Sequence, residues 1–374
     1  MAAEMQVPFV DLARQFRSIE PELTRAFLEV GRSGVYIMGE RLESFEARAA
    51  SYCGVPHALG VADGSNALFL LLKALGVGPG DEVITATNSF IATAWVIVAA
   101  GAKPVLVDVA DDMNIDPDRV EAAVTARTRA VIPVHLTGRP ARMDEINSIA
   151  GKHDLFVIED AAQAIGARYR GRRVGSLGTG AGFSLHPLKN LGIYGDGGII
   201  TTADAALDAK LRKLRNHGLR NRDECEMWGY NSRLDSMQAA FAEIKLDLLD
   251  GWNQRCREIA AIYRDGLGEI VQVPSDESWE EAVYHNFVIR TDARDALILH
   301  LRAHGVDTRI HYPIPIHMQE AAKDLGYGPG DLPNAEKYAK TMISLPIFPE
   351  MTDEEVAHVV DGVRSFSRPA MALA

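Results

Sequence analysis

His57–Leu75 reads HALGVADGSNALFLLLKAL. A β-rich run, His57–Val61, gives way to a small polar turn and then to an apolar segment, Asn66–Leu75, with helical spacing. The same unit of strand, turn and helix recurs as far as Thr202. Its further strands fall at Glu82–Thr85, Pro104–Val107, Ala130–Val134, Leu155–Ile158, Gly182–Leu185 and Gly198–Thr202, and helical segments at Thr93–Ala100, Arg119–Thr125 and Met143–His153 lie between the earlier ones. This alternation predicts an α/β fold whose sheet is largely parallel and covered by helices on both faces. Ligands of such sheets gather beyond the carboxyl ends of the strands.

Past Leu207 the pattern changes. Helical spacing runs through Lys213 and again from Leu234 to about Gly266, followed by a strand-like Tyr284–Arg290, a helix over Ala293–His304, a turn at Gly305 and a mixed region through Phe366. We expect a large unit over residues 1–250 and a smaller C-terminal α/β unit over 251–374, with the segment before about Gly54 packing on the smaller one.

Composition narrows the function classes. The chain has 374 residues, with 39 Lys+Arg against 51 Asp+Glu and a net charge of −12. That balance argues against a nucleic-acid track, whose affinity comes from clustered cations. Cys53, Cys225 and Cys256 form no CxxC pair, which fits neither a disulfide framework nor a zinc site and is simplest in a reducing cytoplasm. No HExxH spacing joins His135, His186 and His217, so no metal is expected. The start, Met1–Phe9, lacks the pattern of a signal peptide, and the most apolar stretch, Ala92–Ala100, is far short of the ~20 residues a membrane span needs, so no membrane is expected as a partner.

Three turns could carry chemistry. Gly182–Gly198, GFSLHPLKNLGIYGDGG, ends a strand in a loop holding Lys189 and closed by Gly192, Gly195, Gly197 and Gly198. A lysine partly desolvated there acts as an amine nucleophile toward an aldehyde; the alternative is a surface lysine in a flexible loop. Leu155–Gln163, LFVIEDAAQ, puts Glu159 and Asp160 at the end of a buried strand, where a carboxylate needs a partner such as a protonated pyridine nitrogen, or serves as a helix cap or metal ligand. Val61–Leu70, VADGSNALFL, places Gly64, Ser65 and Asn66 at the positive end of a helix, which makes a phosphate cradle or a simple cap by Ser65. Phe90, at the head of the next helix, is placed to stack on a planar ring or to join the core.

Together these motifs resemble the fold-type I pyridoxal-phosphate (PLP) enzymes, and among them the DegT/StrS sugar-nucleotide aminotransferases. The resemblance runs from VPFVDL (Val7–Leu12) and MGERLESFE (Met38–Glu46) to SLPIFPEMT (Ser344–Thr352). Between them DGSNAL, NSFIATA, VIPVHLTG, IEDAAQAIGA, FSLHPLKNLG, GDGG, GYNSRLDSMQAA and HYPIPIH follow in the family's order. The resemblance implies a mostly parallel seven-stranded sheet between helices, and PLP that cycles through pyridoxamine phosphate. Lys189 would hold the cofactor and shuttle the proton, Asp160 would pair with the ring nitrogen, Gln163 with the ring's phenolic oxygen, and Phe90 would stack. Gly64, Ser65, Asn66 and Ser184 would bind the phosphate, joined by Asn231 from the neighbouring subunit of a homodimer. Thr179, Leu185 and Ser65 depart from common family residues without removing a catalytic group.

The resemblance also implies glutamate as amino donor and a nucleotide-linked keto sugar as acceptor, with Tyr36, Arg233, His311, Tyr312 and His317 as candidate contacts to the latter. HYPIPIH is most similar to members that aminate C3 of dTDP-linked keto-6-deoxyhexoses. Alternatives are UDP- or GDP-linked 4-keto sugars, cyclitol ketones, or a non-catalytic PLP-binding regulator. Joint presence of Lys189, Asp160 and Gln163 favours an enzyme.

Overall fold

The structure, a computed structural model, describes residues 5–367. Seven strands form the central sheet: β1 (His57–Val61), β2 (Glu82–Ala86), β3 (Lys103–Val107), β4 (Thr128–Ile132), β5 (Phe156–Asp160), β6 (Gly180–Ser184) and β7 (Gly198–Thr202). Their order is β1-β7-β6-β5-β4-β2-β3, parallel throughout except that β7 runs against both neighbours. Burial on both faces explains why parts of these strands, Val83–Ile84 in β2, Ala130–Ile132 in β4 and Phe156–Ile158 in β5, read as unbroken apolar runs rather than as alternation. The parallel strands point their carboxyl ends toward one rim, and that rim holds the site.

Among the described residues three large apolar cores are built: one, with Leu59, Leu68, Leu70, Ile97 and Ile132, holds the helix Gly64–Ala74 on the sheet, and two others share a long helix. Leu42, Phe45, Ile84, Val131 and Phe183 belong to the first of those two, beside the sheet. A separate core gathers Val7, Tyr263, Phe287, Leu301, Ile343 and Val359 around the two-stranded sheet Phe287–Arg290 and Met342–Leu345. The 32-residue helix Ser236–Leu267 serves both, giving Leu246 and Leu249 to the first and Cys256, Ile259, Ala260 and Tyr263 to the second. The N-terminal segment divides likewise: Val7 enters the second core, whereas the helix Glu40–Cys53 packs Leu42 and Phe45 into the first. Among the described residues no helix is long and apolar enough to cross a membrane.

The strand expected over Tyr284–Arg290 starts only at Phe287. Tyr284 has a positive φ of 48°, a conformation that a strand cannot contain, so the chain turns before it pairs.

Candidate active site

A cavity of about 410 Å³ opens beyond the carboxyl ends of β1, β4, β5 and β6. At β1 the chain turns directly into the helix Gly64–Ala74. Asp63 caps that helix, accepting the Asn66 N–H at 2.7 Å and the Asn66 side-chain amide at 2.6 Å. The cap is Asp63 and not Ser65, the alternative that the sequence allows, and the Asn66 N–H is already occupied rather than free for a phosphate. Gly64 and Ser65 still face the cavity at the helix's positive end. Gly64 is there because the helix meets β6 closely: a Cβ would lie 2.8 Å from the Ser184 Cβ and 3.0 Å from its Cα. Gly198, the first residue of β7, allows the same approach from the other side, since a Cβ would lie 2.4 Å from the Asp63 carbonyl oxygen.

Adjacent residues of a strand point to opposite faces, and the two acids ending β5 use this. Asp160 lines the cavity, its carboxylate accepting the Thr93 hydroxyl at 2.7 Å and the Ala162 N–H at 3.2 Å. Burial raises its pKa, and those two hydrogen bonds oppose the rise. Glu159 turns the other way and is fully buried. It accepts the N–H groups of Gly175, Leu177 and Gly178 at 2.8, 2.8 and 2.9 Å, and its Oε2 lies 3.1 Å from His135 Nε2. The Ala141 N–H donates to His135 Nδ1, so the ring proton sits on Nε2 and is donated to Glu159. Glu159 therefore ties together the loop before β6, and Asp160 alone is left for chemistry.

Lys189 lies across the cavity. Its Nζ has no hydrogen-bond partner among the described residues, and burial pulls its pKa down to about 8 against the opposing pull of Asp160. An amine at that value keeps a usable neutral fraction near pH 7. Gln163 Oε1 accepts the Thr137 N–H at 2.7 Å, which aims its Nε2, a donor, toward the Tyr312 hydroxyl at 3.3 Å and the cavity. Phe90 and Tyr312 have ring centroids 5.7 Å apart, inclined by 42°. Phe90 keeps 54% of its surface exposed, so it is a wall of the cavity and not core.

The candidate sugar contacts separate. Tyr312 and His311 line the cavity, but burial and the nearby Lys189 lower the His311 pKa to about 4, so His311 is neutral at pH 7 and supplies no cation. His317 lies outside: it is 3% exposed, with Nδ1 2.8 Å from the Thr87 hydroxyl and Nε2 3.3 Å from Glu336. Its partners hold a buried turn together, and a role in contacting sugar is corrected to that structural one. Tyr36, Asn231 and Arg233 do not line this cavity either; Tyr36 and Asn231 are exposed and Arg233 donates to Asn216 at 3.1 Å. Thr93 and His285 are site residues that sequence reading missed. Thr93 sits inside NSFIATA without a spacing cue, while His285 reaches the cavity only because Tyr284 turns the chain, and burial beside Lys189 holds its pKa well below the usual range.

An amine, a buried acid and an anion cradle converging on one cavity at the rim of a mostly parallel sheet define an enzyme working through a bound aldehyde cofactor. The comparisons agree: the DegT/DnrJ/EryC1/StrS aminotransferase family profile matches residues 17–364, and the chain belongs to that family, as a PLP-dependent aminotransferase. It is 47% identical over 97% of its length, and 99% of the relative's, to a "pleiotropic regulatory protein" of Geobacillus stearothermophilus. It is 45% identical to dTDP-3-amino-3,4,6-trideoxy-alpha-D-glucose transaminase of Streptomyces venezuelae, covering 97% of this chain and 96% of that one. The crystal structure of S. venezuelae DesV superposes with a TM-score of 0.96 at 45% identity, over 97% of this chain and 99% of the other.

Proposed function

We propose that the enzyme transfers the amino group of glutamate to the keto group of a nucleotide-linked sugar, with a dTDP-linked 3-keto-6-deoxyhexose as acceptor. One observation carries the reading: the neutralisable Lys189 amine and the Asp160 carboxylate share a cavity with an anion-binding helix end. The relative from S. venezuelae supports the sugar class. The regulator reading has less support, since it assigns no task to a desolvated lysine opposite a buried acid. The division at residue 250 into cofactor-holding and smaller units belongs to the same proposal.

The residues fit pyridoxal phosphate. A Cβ at Gly64 would press on Ser184 and part the two sides of the cradle, Lys189 has an unpaired amine, and the Asp160 carboxylate can meet a cationic ring nitrogen. Bound PLP supplies an electron-accepting ring and an aldehyde that stores the amino group, as pyridoxamine phosphate, between donor and acceptor. Gly64, Ser65 and Ser184 would hold the phosphate, Phe90 would cover a ring face, and Gln163 Nε2 would donate to the ring's oxygen; all five line the cavity. Lys189 Nζ would hold the cofactor's aldehyde and, once released from it, would move the proton between the donor carbon and the cofactor. With the acceptor sugar the same amine runs the transfer in reverse.

Asn231, Tyr36 and Arg233 fit a shared site in a homodimer, in which they reach the partner's cavity. Their positions outside this chain's own cavity support that arrangement. The purified protein is expected to be yellow and to bleach with glutamate, and borohydride is expected to fix the cofactor to Lys189. Lys189→Ala abolishes that attachment; trapping at another lysine, or a colour indifferent to every amino donor, overturns the reading. A panel of nucleotide keto sugars read by mass then tests the acceptor.

A further inference from the structure

The loop carrying Lys189 is gripped from behind by a cation that the amino-transfer chemistry does not use. Lys245, on the helix Ser236–Leu267, is 2% exposed. Its ammonium donates to the Gly192 carbonyl, in the Lys189 loop, at 2.6 Å, and to Gln15 Oε1 at 2.9 Å. It also lies 4.2 Å from the centroid of the Tyr194 ring, two residues along the same loop. Gln15, on the helix Leu12–Ser33, lines a small cavity behind the loop together with Glu350. One buried amine thus joins three segments distant in sequence: its own helix, the Lys189 loop and the helix Leu12–Ser33.

Such a group is costly. No carboxylate lies within ion-pair distance of Lys245 among the described residues, and burial pulls its pKa down to about 8, with Glu350 opposing from further off. A methionine or leucine would fill the space more cheaply, so its donors matter more than its bulk. Room behind the loop makes the tether necessary: a cavity of about 60 Å³, lined by Lys189, Asn190 and Glu350, gives the lysine segment somewhere to retreat. Asn190 is the second tether, donating to Asn253 at 2.9 Å and to the Val283 carbonyl at 3.2 Å.

We propose that Lys245 is a positioning residue for Lys189: by holding the Gly192 carbonyl and tying it to Gln15 of the helix Leu12–Ser33, it keeps the Lys189 amine forward in the cavity with Asp160. The proposal rests on Lys189 as the cofactor-bearing amine. Released from this tether the loop draws back and admits water, which stabilises the charged form of the lysine nitrogen.

The test compares Lys245→Met and Lys245→Arg holoenzymes with wild type. Borohydride trapping at Lys189 is retained in both, which separates this test from the one on Lys189 itself. In Lys245→Met the pH midpoint of the bound chromophore's absorbance is expected to rise by about half a unit to one unit. kcat with glutamate falls about tenfold or more while KM changes less than about twofold. Lys245→Arg restores a cation and its donors, and returns the midpoint most of the way. A folded Lys245→Met holoenzyme with unchanged midpoint and kcat overturns the proposal, as does an arginine variant as impaired as the methionine one. Should Lys245→Met fail to fold, Gln15→Leu at a half-buried site removes the acceptor that anchors the Lys245 ammonium to the helix Leu12–Ser33. It is expected to raise the midpoint in the same direction by a smaller amount, and an unmoved midpoint overturns the proposal.

Discussion

Thr93 determines how much of Asp160 is available as an anion. Its hydroxyl donates at 2.7 Å to a carboxylate whose pKa burial already raises, so deleting that donor pushes the acid further toward its neutral form. A hydrogen bond to a charged group contributes about 1.5–3 kcal/mol. Thr93→Val keeps the shape and is expected to lower kcat by about tenfold to a hundredfold, read by steady-state kinetics with saturating cofactor. An unaffected kcat would show that Asp160 needs no help staying ionised. Thr93 also shows why part of the site was hard to read. The acids at 159 and 160 and the lysine loop announce themselves by a charged residue ending an apolar run, whereas a threonine inside an apolar helix start carries no such mark. Likewise His317 stood out by residue type, yet only its burial shows that its partners are Thr87 and Glu336.

Elements explain where sequence reading succeeded. β1 and β7 were placed to the residue, and the other sheet strands to within about two, because each is a short apolar run between turn-forming residues. Tyr284 was misread because periodicity cannot register a positive φ in a β-favouring residue. The cap of the helix Gly64–Ala74 is open in the sequence for a different reason: Asp63, Ser65 and Asn66 are all competent caps, and only φ/ψ decides among them. The junction of that helix with β6 makes its own prediction. Gly64→Ala puts a methyl 2.8 Å from the Ser184 Cβ and forces the helix end away from the strand. Cofactor affinity is expected to fall at least about tenfold by fluorescence titration with PLP, with melting of the cofactor-free protein shifted far less.

Charge state acts on the whole molecule. Burial pulls both Lys189 and Lys245 from 10.5 to about 8, so the unfolded chain binds more protons than the native one between those values. Their contribution to the stability of the cofactor-free enzyme therefore rises with pH through that window, because the cost of burying the two charges is present below pH 8 and is relieved above it, while the buried thiols of Cys53 and Cys256, raised from 9.0 to about 12, oppose the rise. In denaturant melts at pH 8 and pH 10 the change in stability is expected to be less favourable for Lys189→Ala than for wild type; an identical change would mean that Lys189 is not desolvated. The net charge of −12 opposes none of this, since the cradle attracts its anion with backbone amides. The long helix that joins the two cores has one more consequence. At ~1.5 Å per residue its 32 residues make a rod about 50 Å long. Leu246 and Leu249 are embedded at one part of it and Cys256 through Tyr263 at another. Melting either part would break the hydrogen-bonded ladder on which the other depends, so the cores share a single cooperative fate even though their side chains form separate clusters.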